Sequence, residues 1–186
     1  MCRGFVTLQQ TCLERAKQIK VKFGTLLQRP GDDSTKNVIS PPKKSKGCLE
    51  TLPKHKRPPK EEVTQWGKAL DNVLINSYGL ATFRDFLSSE FSEENIEFWL
   101  ACEEYKSTKD PGKMAAKAKR ICQDFLQTGA KWEVNIDHFT KDKTLRNIAQ
   151  LTPMTFDLAQ RQVFALMEKD SYGRFLKSNQ YQEIIK

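Results

Sequence analysis

The fold of this chain is constrained most by one helical stretch, from Ser92 to about Lys106, that is apolar on more than one side. Its apolar side chains are Ile96, Phe98, Trp99, Leu100, Cys102 and Tyr105. A surface helix carries a single apolar stripe, whereas a helix that is apolar around most of its circumference must be covered on every side. The stretch therefore predicts a central, mostly buried helix with other elements packed around it.

The neighbouring segments carry the one-sided apolar stripes that such a covering layer needs. Their apolar residues recur at spacings of three and four, which is the helical period. The stripes are Val63, Trp66, Leu70, Val73 and Leu74; Leu80, Phe83 and Leu87; Ala118, Ile121, Cys122, Phe125 and Leu126; Phe156, Val163, Phe164 and Met167; and Tyr172, Phe175, Leu176, Tyr181 and Ile184. No segment alternates in the manner of a strand, so we expect an all-α bundle of about eight to nine helices over residues 61–186.

Local signals predict where several of these helices begin and end. A turn is expected at Gly79, and Ser92 is expected to cap the central helix, with the Asn95 amide free to face solvent or a partner. Residues 131–140 have the pattern of a loop, after which Thr140 is expected to cap a helix that runs to about Gln150. The last helical stretch is expected to run from residue 170 to residue 186.

Charge divides the chain into two unlike parts. The net charge is +8, yet residues 1–60 hold 14 Lys or Arg against 4 Asp or Glu, and residues 61–186 hold 17 against 19. All of the basic excess therefore belongs to the first part, which indicates an anionic surface as its partner. No apolar run approaches the ~20 residues of a membrane span, and no segment has the pattern of a signal peptide.

Residues 1–29 are expected to form an amphipathic helix that binds an anionic membrane surface. Apolar residues form one stripe, and basic residues flank both of its borders, where their stems can extend toward lipid headgroups. The residues expected to bind the membrane are Phe5, Leu8, Arg15, Lys17, Ile19, Lys20, Lys22, Phe23, Leu26 and Leu27. The same periodicity also fits a helix packed on the chain's own domain.

Residues 30–60 combine prolines with lysines and contain few large apolar residues, which predicts a disordered, extended linker. A basic linker could also contact a nucleic acid. This segment lacks interleaved aromatic residues and a recognisable binding motif, so no nucleic-acid partner is expected.

We expect no catalytic group, metal or cofactor in this chain. There is no G-x-x-x-x-G-K-[ST] loop to cradle a nucleotide, and no Ser-His-Asp or Cys-His arrangement stands out. The odd number of cysteines and the absence of a C-x-x-C spacing favour free thiols, with Cys102 expected in the core. His55 and His138 are not near a cysteine in the sequence, which argues against a zinc site.

The strings S-E-E-N-I-E-F-W, L-A-C-E-E-Y-K, V-N-I-D and M-E-K-D-S-Y-G-R-F-L occur in this order. Together they resemble the regulator of G-protein signalling (RGS) domain, over about residues 62–186. The N-terminal segment resembles a small subgroup of that family in which an amphipathic leader precedes a single domain. The resemblance implies a monomeric GTPase-activating protein that binds GTP-bound Gα subunits, of the Gi and Gq classes, and so inhibits signalling by G-protein-coupled receptors.

The implied mechanism needs no catalytic group from this chain. Gα subunits already supply a stabilising arginine, yet their intrinsic hydrolysis is slow, at about 10⁻² s⁻¹. A surface that holds the switch segments in their transition-state geometry would raise that rate by positioning alone. The alternative is a non-catalytic scaffold that binds Gα or receptors and only blocks effectors.

The resemblance implies three groups of Gα-binding residues. They are Phe91, Ser92, Glu94 and Asn95; Glu133, Asn135 and Asp137; and Leu166, Glu168, Lys169, Asp170, Ser171 and Arg174. In the family the asparagine of the second group lies beside the Gα glutamine that orients water. Each group also has a purely structural interpretation, since Asn135 could stabilise a turn, Asp170 could cap a helix, and Arg174 could pair with Asp170.

Two cysteines near the start, Cys2 and Cys12, are candidates for palmitoylation. Neither an amphipathic helix nor one acyl chain alone gives stable anchoring, so the two signals together are required. The expected location is therefore the cytoplasm, with peripheral attachment to the inner face of the plasma membrane. The thiols could equally remain unmodified.

Overall fold

The computed structural model describes residues 58–186, and the following account is restricted to them. The predicted leader helix with its membrane-binding residues, the cysteines Cys2 and Cys12, and nearly all of the predicted linker lie outside the described residues.

The helices are α1 (Lys60–Trp66), α2 (Leu70–Leu74), α3 (Ser77–Ser89), α4 (Glu94–Ser107), α5 (Pro111–Ile121), α6 (His138–Asn147), α7 (Asp157–Leu166), α8 (Tyr172–Phe175) and α9 (Asn179–Ile185). Two π-helical turns, Cys122–Leu126 and Met167–Ser171, follow α5 and α7 without a break. The all-α prediction is confirmed, since this part of the chain contains no strand.

Helix α4 is the central element, as its sequence predicts. Ile96, Phe98, Cys102 and Tyr105 are completely buried, and α4 packs between α5 and α7. The Tyr105 ring meets Phe156 edge-on at a centroid distance of 5.0 Å. Burial of large apolar side chains is the dominant stabilising term in a fold of this size, at about 1.5–3 kcal/mol for each side chain.

The C-terminal helices pack against the first one. The hydroxyl of Tyr172 donates a hydrogen bond to the backbone carbonyl of Trp66 at 2.6 Å, and the hydroxyl of Tyr181 donates to that of Val63 at 3.3 Å. Because both carbonyls belong to α1, these bonds fasten the two ends of the domain together. The Trp66 ring itself is buried.

The prediction that the chain turns at Gly79 is wrong, because Gly79 lies within helix α3, near its start. The helix begins after Asn76, whose side-chain oxygen accepts a hydrogen bond from the Gly79 N–H at 2.8 Å. A Cβ on Gly79 would lie 2.8 Å from the carbonyl oxygen of Val73 and 3.1 Å from the Trp66 ring. Close packing of α3 against the preceding helices, and not a turn, accounts for this glycine.

Three predicted helix boundaries also need correction. Asp137, and not Thr140, caps α6, because its carboxylate accepts a hydrogen bond from the Thr140 N–H at 2.8 Å. Ser92 does not cap α4, since its hydroxyl donates back to the Leu87 carbonyl at 3.4 Å. The final stretch is a π turn and two short helices, and Ser178 caps the second of them. Asp137 and Ser178 therefore cap helices whose starts were predicted elsewhere, and no side chain caps α4.

None of the described helices combines the length and the apolar character that crossing a bilayer requires.

Replacing Gly79 with alanine is expected to lower the free energy of unfolding by about 1–3 kcal/mol, because the added methyl group would overlap a backbone oxygen that cannot move away easily. Gly173→Ala is the matched control, since the space around that helical glycine is open within 4 Å. It should leave stability unchanged or raise it by up to about 1 kcal/mol. Urea unfolding measures both, and equal effects of the two substitutions would contradict this account of α3 packing.

Candidate protein-binding surface

The turn between α3 and α4 presents an aromatic side chain in a strained conformation. Phe91 has a φ of 54°, in the left-handed region. The N–H of Ser92 bonds the Leu87 carbonyl at 2.9 Å and the N–H of Phe91 bonds the Ser88 carbonyl at 3.1 Å, which is the Schellman arrangement that normally places glycine at this position. The left-handed conformation costs a residue with a side chain about 1–2 kcal/mol.

Phe91 gains nothing from packing in return for this strain, since it is 93% exposed. A large apolar side chain that is held outward in an unfavourable backbone conformation is typical of a contact residue. Phe91, which the resemblance implies as a contact residue, is therefore exposed at this turn.

Asn95, four residues later, lies beneath the same turn. The residue is only 5% exposed, so its amide does not face solvent, and of the two expected orientations only the one toward a partner stays a prediction. Its Nδ2 donates to the Ser92 carbonyl at 3.2 Å and to a Glu94 carboxylate oxygen at 2.8 Å. Its Oδ1 is buried without a hydrogen-bond partner among residues 58–186. Asn95 thus braces the turn from inside and retains one unused acceptor.

The segment from Leu166 to Arg174 contains the π-helical turn Met167–Ser171 that continues from α7. The turn buries Met167 and Ser171, so the Ser171 side chain faces the interior and does not form part of the exposed surface. Glu168, Lys169 and Asp170 are exposed. Leu166 is 36% exposed, which confirms that it is not a core residue.

Arg174 joins this segment to the end of α3. Its guanidinium donates to both carboxylate oxygens of Glu90, from Nε to Oε1 at 3.0 Å and from Nη2 to Oε2 at 2.8 Å. Its Nη1 pairs with the carboxylate of Asp170. Glu90, and then Asp170, raise the pKa of Arg174 further above its usual range. The pairing with Asp170 was among the structural interpretations of Arg174, and Asp170 does not cap a helix.

Glu90 is a site residue that sequence reasoning missed. It is separated from Arg174 by 84 positions, and only the Asp170–Arg174 spacing of four indicated a partner. Glu90 immediately precedes Phe91, so the ion pair fixes the strained turn to α8. The first and third groups of predicted residues are thereby brought together.

The loop before α6 presents the Asn135 amide. Val134 is buried and its N–H bonds the Phe125 carbonyl at 3.0 Å, while Asp137 caps α6. Asn135, between these two anchors, is exposed and forms no side-chain hydrogen bond to the described part of the chain. The structure therefore leaves this amide available, and it does not support a turn-stabilising role for its side chain.

Glu133 is occupied within the chain. One carboxylate oxygen accepts from the Gly129 N–H at 2.7 Å and the other is 2.9 Å from the Lys141 Nζ. The bond from Lys141, and secondarily that from Gly129, lowers the pKa of Glu133. Its two oxygens are thus committed to shaping the loop.

Asp137 connects the same loop to α7. The Thr140 backbone N–H, together with the Thr140 hydroxyl and the Gln162 amide, lowers the pKa of the Asp137 carboxylate. Gln162 precedes Leu166 by four residues on α7, so both side chains lie on one face of that helix. Helices α6 and α7 also pack against each other, so the second group lies beside the helix that leads into the third.

The described residues contain no group of three or more His, Cys, Asp or Glu side chains placed to hold a metal ion. Burial raises the pKa of Cys102 and raises that of Cys122 to about 11, so both thiols stay protonated and are poor nucleophiles. What this surface offers is an exposed aromatic ring, an unpaired amide and a leucine on a braced framework.

Three exposed large apolar residues outside the predicted groups were also missed: Phe139, Leu145 and Met154. Phe139 on α6 and Met154 in the following loop are about two-thirds exposed or more. The Lys143 ammonium lies 5.8 Å from the centre of the Phe139 ring. One indication was available from the sequence, since Phe139 and Leu145 are large apolar residues in a mostly polar helix.

Comparing Phe91→Gly with Phe91→Ala isolates the backbone strain at this turn. Both variants lose the exposed ring, and only glycine adopts the left-handed conformation without a steric cost. We expect Phe91→Gly to be more stable than Phe91→Ala by about 0.5–1 kcal/mol in urea unfolding, after the greater chain entropy of glycine is subtracted. A more stable alanine variant would show that φ at this position is not strained.

Comparison with known proteins identifies the family of this chain. The family model described as "Regulator of G protein signaling domain" matches residues 69–184. Regulator of G-protein signaling 5 of Mus musculus is 54% identical over 186 residues and regulator of G-protein signaling 5 of Rattus norvegicus is 52% identical over 185, with at least 99% of each chain covered. Regulator of G-protein signaling 16 of Sus scrofa is 41% identical, covering 99% of this chain and 90% of its own. The resemblance inferred from the sequence motifs is confirmed, and the chain belongs to the regulator of G-protein signaling family.

Proposed function

We propose that this chain is a GTPase-activating protein for heterotrimeric Gα subunits and that it thereby shortens signalling by G-protein-coupled receptors. The family to which the chain belongs supports this activity. We further propose that it binds the GTP-bound form of Gi- and Gq-class subunits, and that it does so as a monomer.

An action through positioning needs no catalytic group from this chain. Gα subunits carry their own stabilising arginine, and what limits their hydrolysis is the order of the switch segments and of the attacking water. Each ~1.4 kcal/mol of transition-state stabilisation raises a rate tenfold, and correct positioning can supply several such factors. A rigid helical surface that fits the switch segments in their reactive geometry is sufficient.

The observation that carries the proposal is the proximity of the three predicted groups, which are far apart in the sequence. The Glu90–Arg174 ion pair joins the first group to the third, and the packing of α6 against α7 places the second group beside the helix that leads into the third. Residues that serve only to end three separate helices would not need to be connected in this way.

Within this surface the exposed side chains are assigned direct contacts. Phe91 and Leu166 would pack against the switch segments, and Asn135 would hold the Gα glutamine that orients water. The surrounding polar contacts would come from Ser92, Glu94, Glu133, Asp137, Glu168, Lys169, Asp170 and Arg174. Asn95 and Ser171 are buried, so they would support the surface from inside the domain. The Asn95 Oδ1, which has no partner among the described residues, would accept one hydrogen bond from Gα.

Asn135→Ala tests this assignment directly. Single-turnover hydrolysis of Gα-bound GTP is expected to lose about tenfold or more of the acceleration, because the group that orients the glutamine is removed. Asn147→Ala is a matched control, since Asn147 is exposed at the opposite end of α6, and it should accelerate hydrolysis as the unaltered chain does.

Two outcomes of this experiment would contradict the proposal. Full acceleration by Asn135→Ala would remove the role of that amide. An unaltered chain that binds GTP-loaded Gα and leaves the hydrolysis rate unchanged would favour the alternative function, a non-catalytic scaffold that blocks effectors.

We also propose that residues 1–29 attach the protein to the inner face of the plasma membrane, that residues 30–60 are a flexible linker, and that residues 61–186 are the RGS domain. The support is the charge distribution, since residues 1–60 carry a balance of +10. Each basic residue near an anionic leaflet contributes up to about 1 kcal/mol. Palmitate on Cys2 or Cys12 would supply the second anchoring signal.

Binding to lipid vesicles tests the membrane proposal without palmitate. The full chain should cosediment with vesicles that contain phosphatidylserine and much less with neutral phosphatidylcholine vesicles. Replacing Arg15, Lys17, Lys20 and Lys22 with glutamine should abolish most of this difference, whereas replacing four lysines of the linker should have a smaller effect. Equal binding to both vesicle types would contradict an electrostatic role for the leader.

A further inference from the structure

One ammonium group fastens the loop that carries Asn135 to the helix that follows it. The Lys141 Nζ on α6 is 2.9 Å from Glu133 Oε1 and 3.4 Å from the Thr128 hydroxyl. The other Glu133 oxygen accepts the Gly129 N–H at 2.7 Å. We call the contacts among Gly129, Glu133 and Lys141 the loop latch.

The latch acts on a stretch of backbone that has few other constraints. Gly129 has a φ of 78°, and turn bonds connect Ala130 to Gln127 and Glu133 to Ala130, both at 3.1 Å. These bonds are internal to the loop and do not attach it to a helix. The first backbone attachment to the rest of the domain is the bond from Val134 to Phe125, immediately before Asn135.

The latch is partly sheltered from water. The Lys141 side chain is 21% exposed and that of Glu133 is 34% exposed, so the pair is screened less than two fully exposed charges would be. The lowered pKa of Glu133 is consistent with this pairing. Ion pairs at the surface are usually worth little, so the restraint on the loop is attributed to geometry: one carboxylate bridges the Gly129 N–H and the Lys141 ammonium.

We propose that Lys141 is a positioning residue, which acts through Glu133 to hold the Asn135 loop in the geometry that accelerates GTP hydrolysis. This inference rests on the proposed function. It also changes the role of Glu133, whose contribution is then to the shape of the loop and not to a direct bond with Gα.

A positioning role predicts a particular division between rate and affinity. Phe91 and Leu166 do not depend on the latch, so the complex should still form. A loosened loop would place Asn135 correctly for only part of the time, which lowers the limiting rate of hydrolysis. A lysine that simply contacted Gα would instead change the concentration needed for half-maximal acceleration.

The test is single-turnover hydrolysis by GTP-loaded Gα at increasing concentrations of the full chain. Lys141→Met should lower the limiting rate about fivefold, the size expected for losing a partly sheltered ion pair, and should change the half-saturating concentration less than twofold. Lys143→Met is the matched control, because this exposed lysine of α6 makes the same change in charge outside the latch. Lys141→Arg, which keeps the charge and the reach, should restore most of the rate.

Two further measurements separate the latch from general stability and from direct contact. Glu133→Gln combined with Lys141→Met should be no slower than the slower single variant, since both remove the same contact. Amide hydrogen exchange of residues 129–136 in the free chain should increase in Lys141→Met and not in Lys143→Met.

The outcomes distinguish this inference from the function on which it rests. An unchanged limiting rate in Lys141→Met, multiplicative losses in the double variant, or unchanged loop exchange would overturn the latch while acceleration by the unaltered chain stands. An unaltered chain that fails to accelerate hydrolysis would overturn the proposed function, and the positioning role with it.

Discussion

The burial of α4 around most of its circumference is the constraint on which the arrangement of residues 58–186 depends. With Phe98 and Tyr105 inaccessible to solvent, the other helices must form a layer around it, and their connections must lie at the surface. The turn that leads into α4 is held in place as well, because Asn95 and Ile96, which follow it, are buried. A strained residue such as Phe91 can persist only where the structure on both sides of it is fixed.

The charged residues of the candidate surface serve mainly to hold that surface together. Arg174 is shared between Glu90 and Asp170, Glu133 between Gly129 and Lys141, and Asp137 caps α6 while contacting Gln162. Ordering loops at the moment of association reduces affinity, so a surface that is ordered beforehand retains more of its contact energy. The side chains left free for a partner are then largely uncharged, with Phe91, Asn135 and Leu166 foremost.

A surface that is ordered in this way can affect a rate by positioning alone. Acceleration by positioning requires the partner's reacting groups to be held within fractions of an ångström, which a mobile surface cannot achieve. Internal ion pairs of modest individual strength are suitable for this purpose, because each one limits the motion of a short segment that is already anchored by buried neighbours.

Much of the fold followed from the sequence because helical periodicity reports burial directly. The central position of α4, the all-α class and the partial exposure of Leu166 were all predictable from spacing. Contacts between distant positions were not, and Glu90 could not be paired with Arg174 because no local pattern connects them. Gly79 was misassigned because, in a sequence, a glycine required by close packing looks the same as one required by a turn. The burial of Asn95 could not be predicted because it depends on how the chain folds back over this residue.

The candidate site was predictable only through family resemblance, since its residue types alone fit ordinary caps and turns.

The central claim, that this surface is complementary to Gα in its reacting form, is tested most directly by its affinity for one Gα subunit in different nucleotide states. Binding should be tightest to Gα with GDP and aluminium fluoride, which mimics the transferring phosphoryl group, weaker to Gα with a non-hydrolysable GTP analogue, and weakest with GDP alone. Equal affinity for the first two states, or tighter binding to the GTP analogue, would contradict the account.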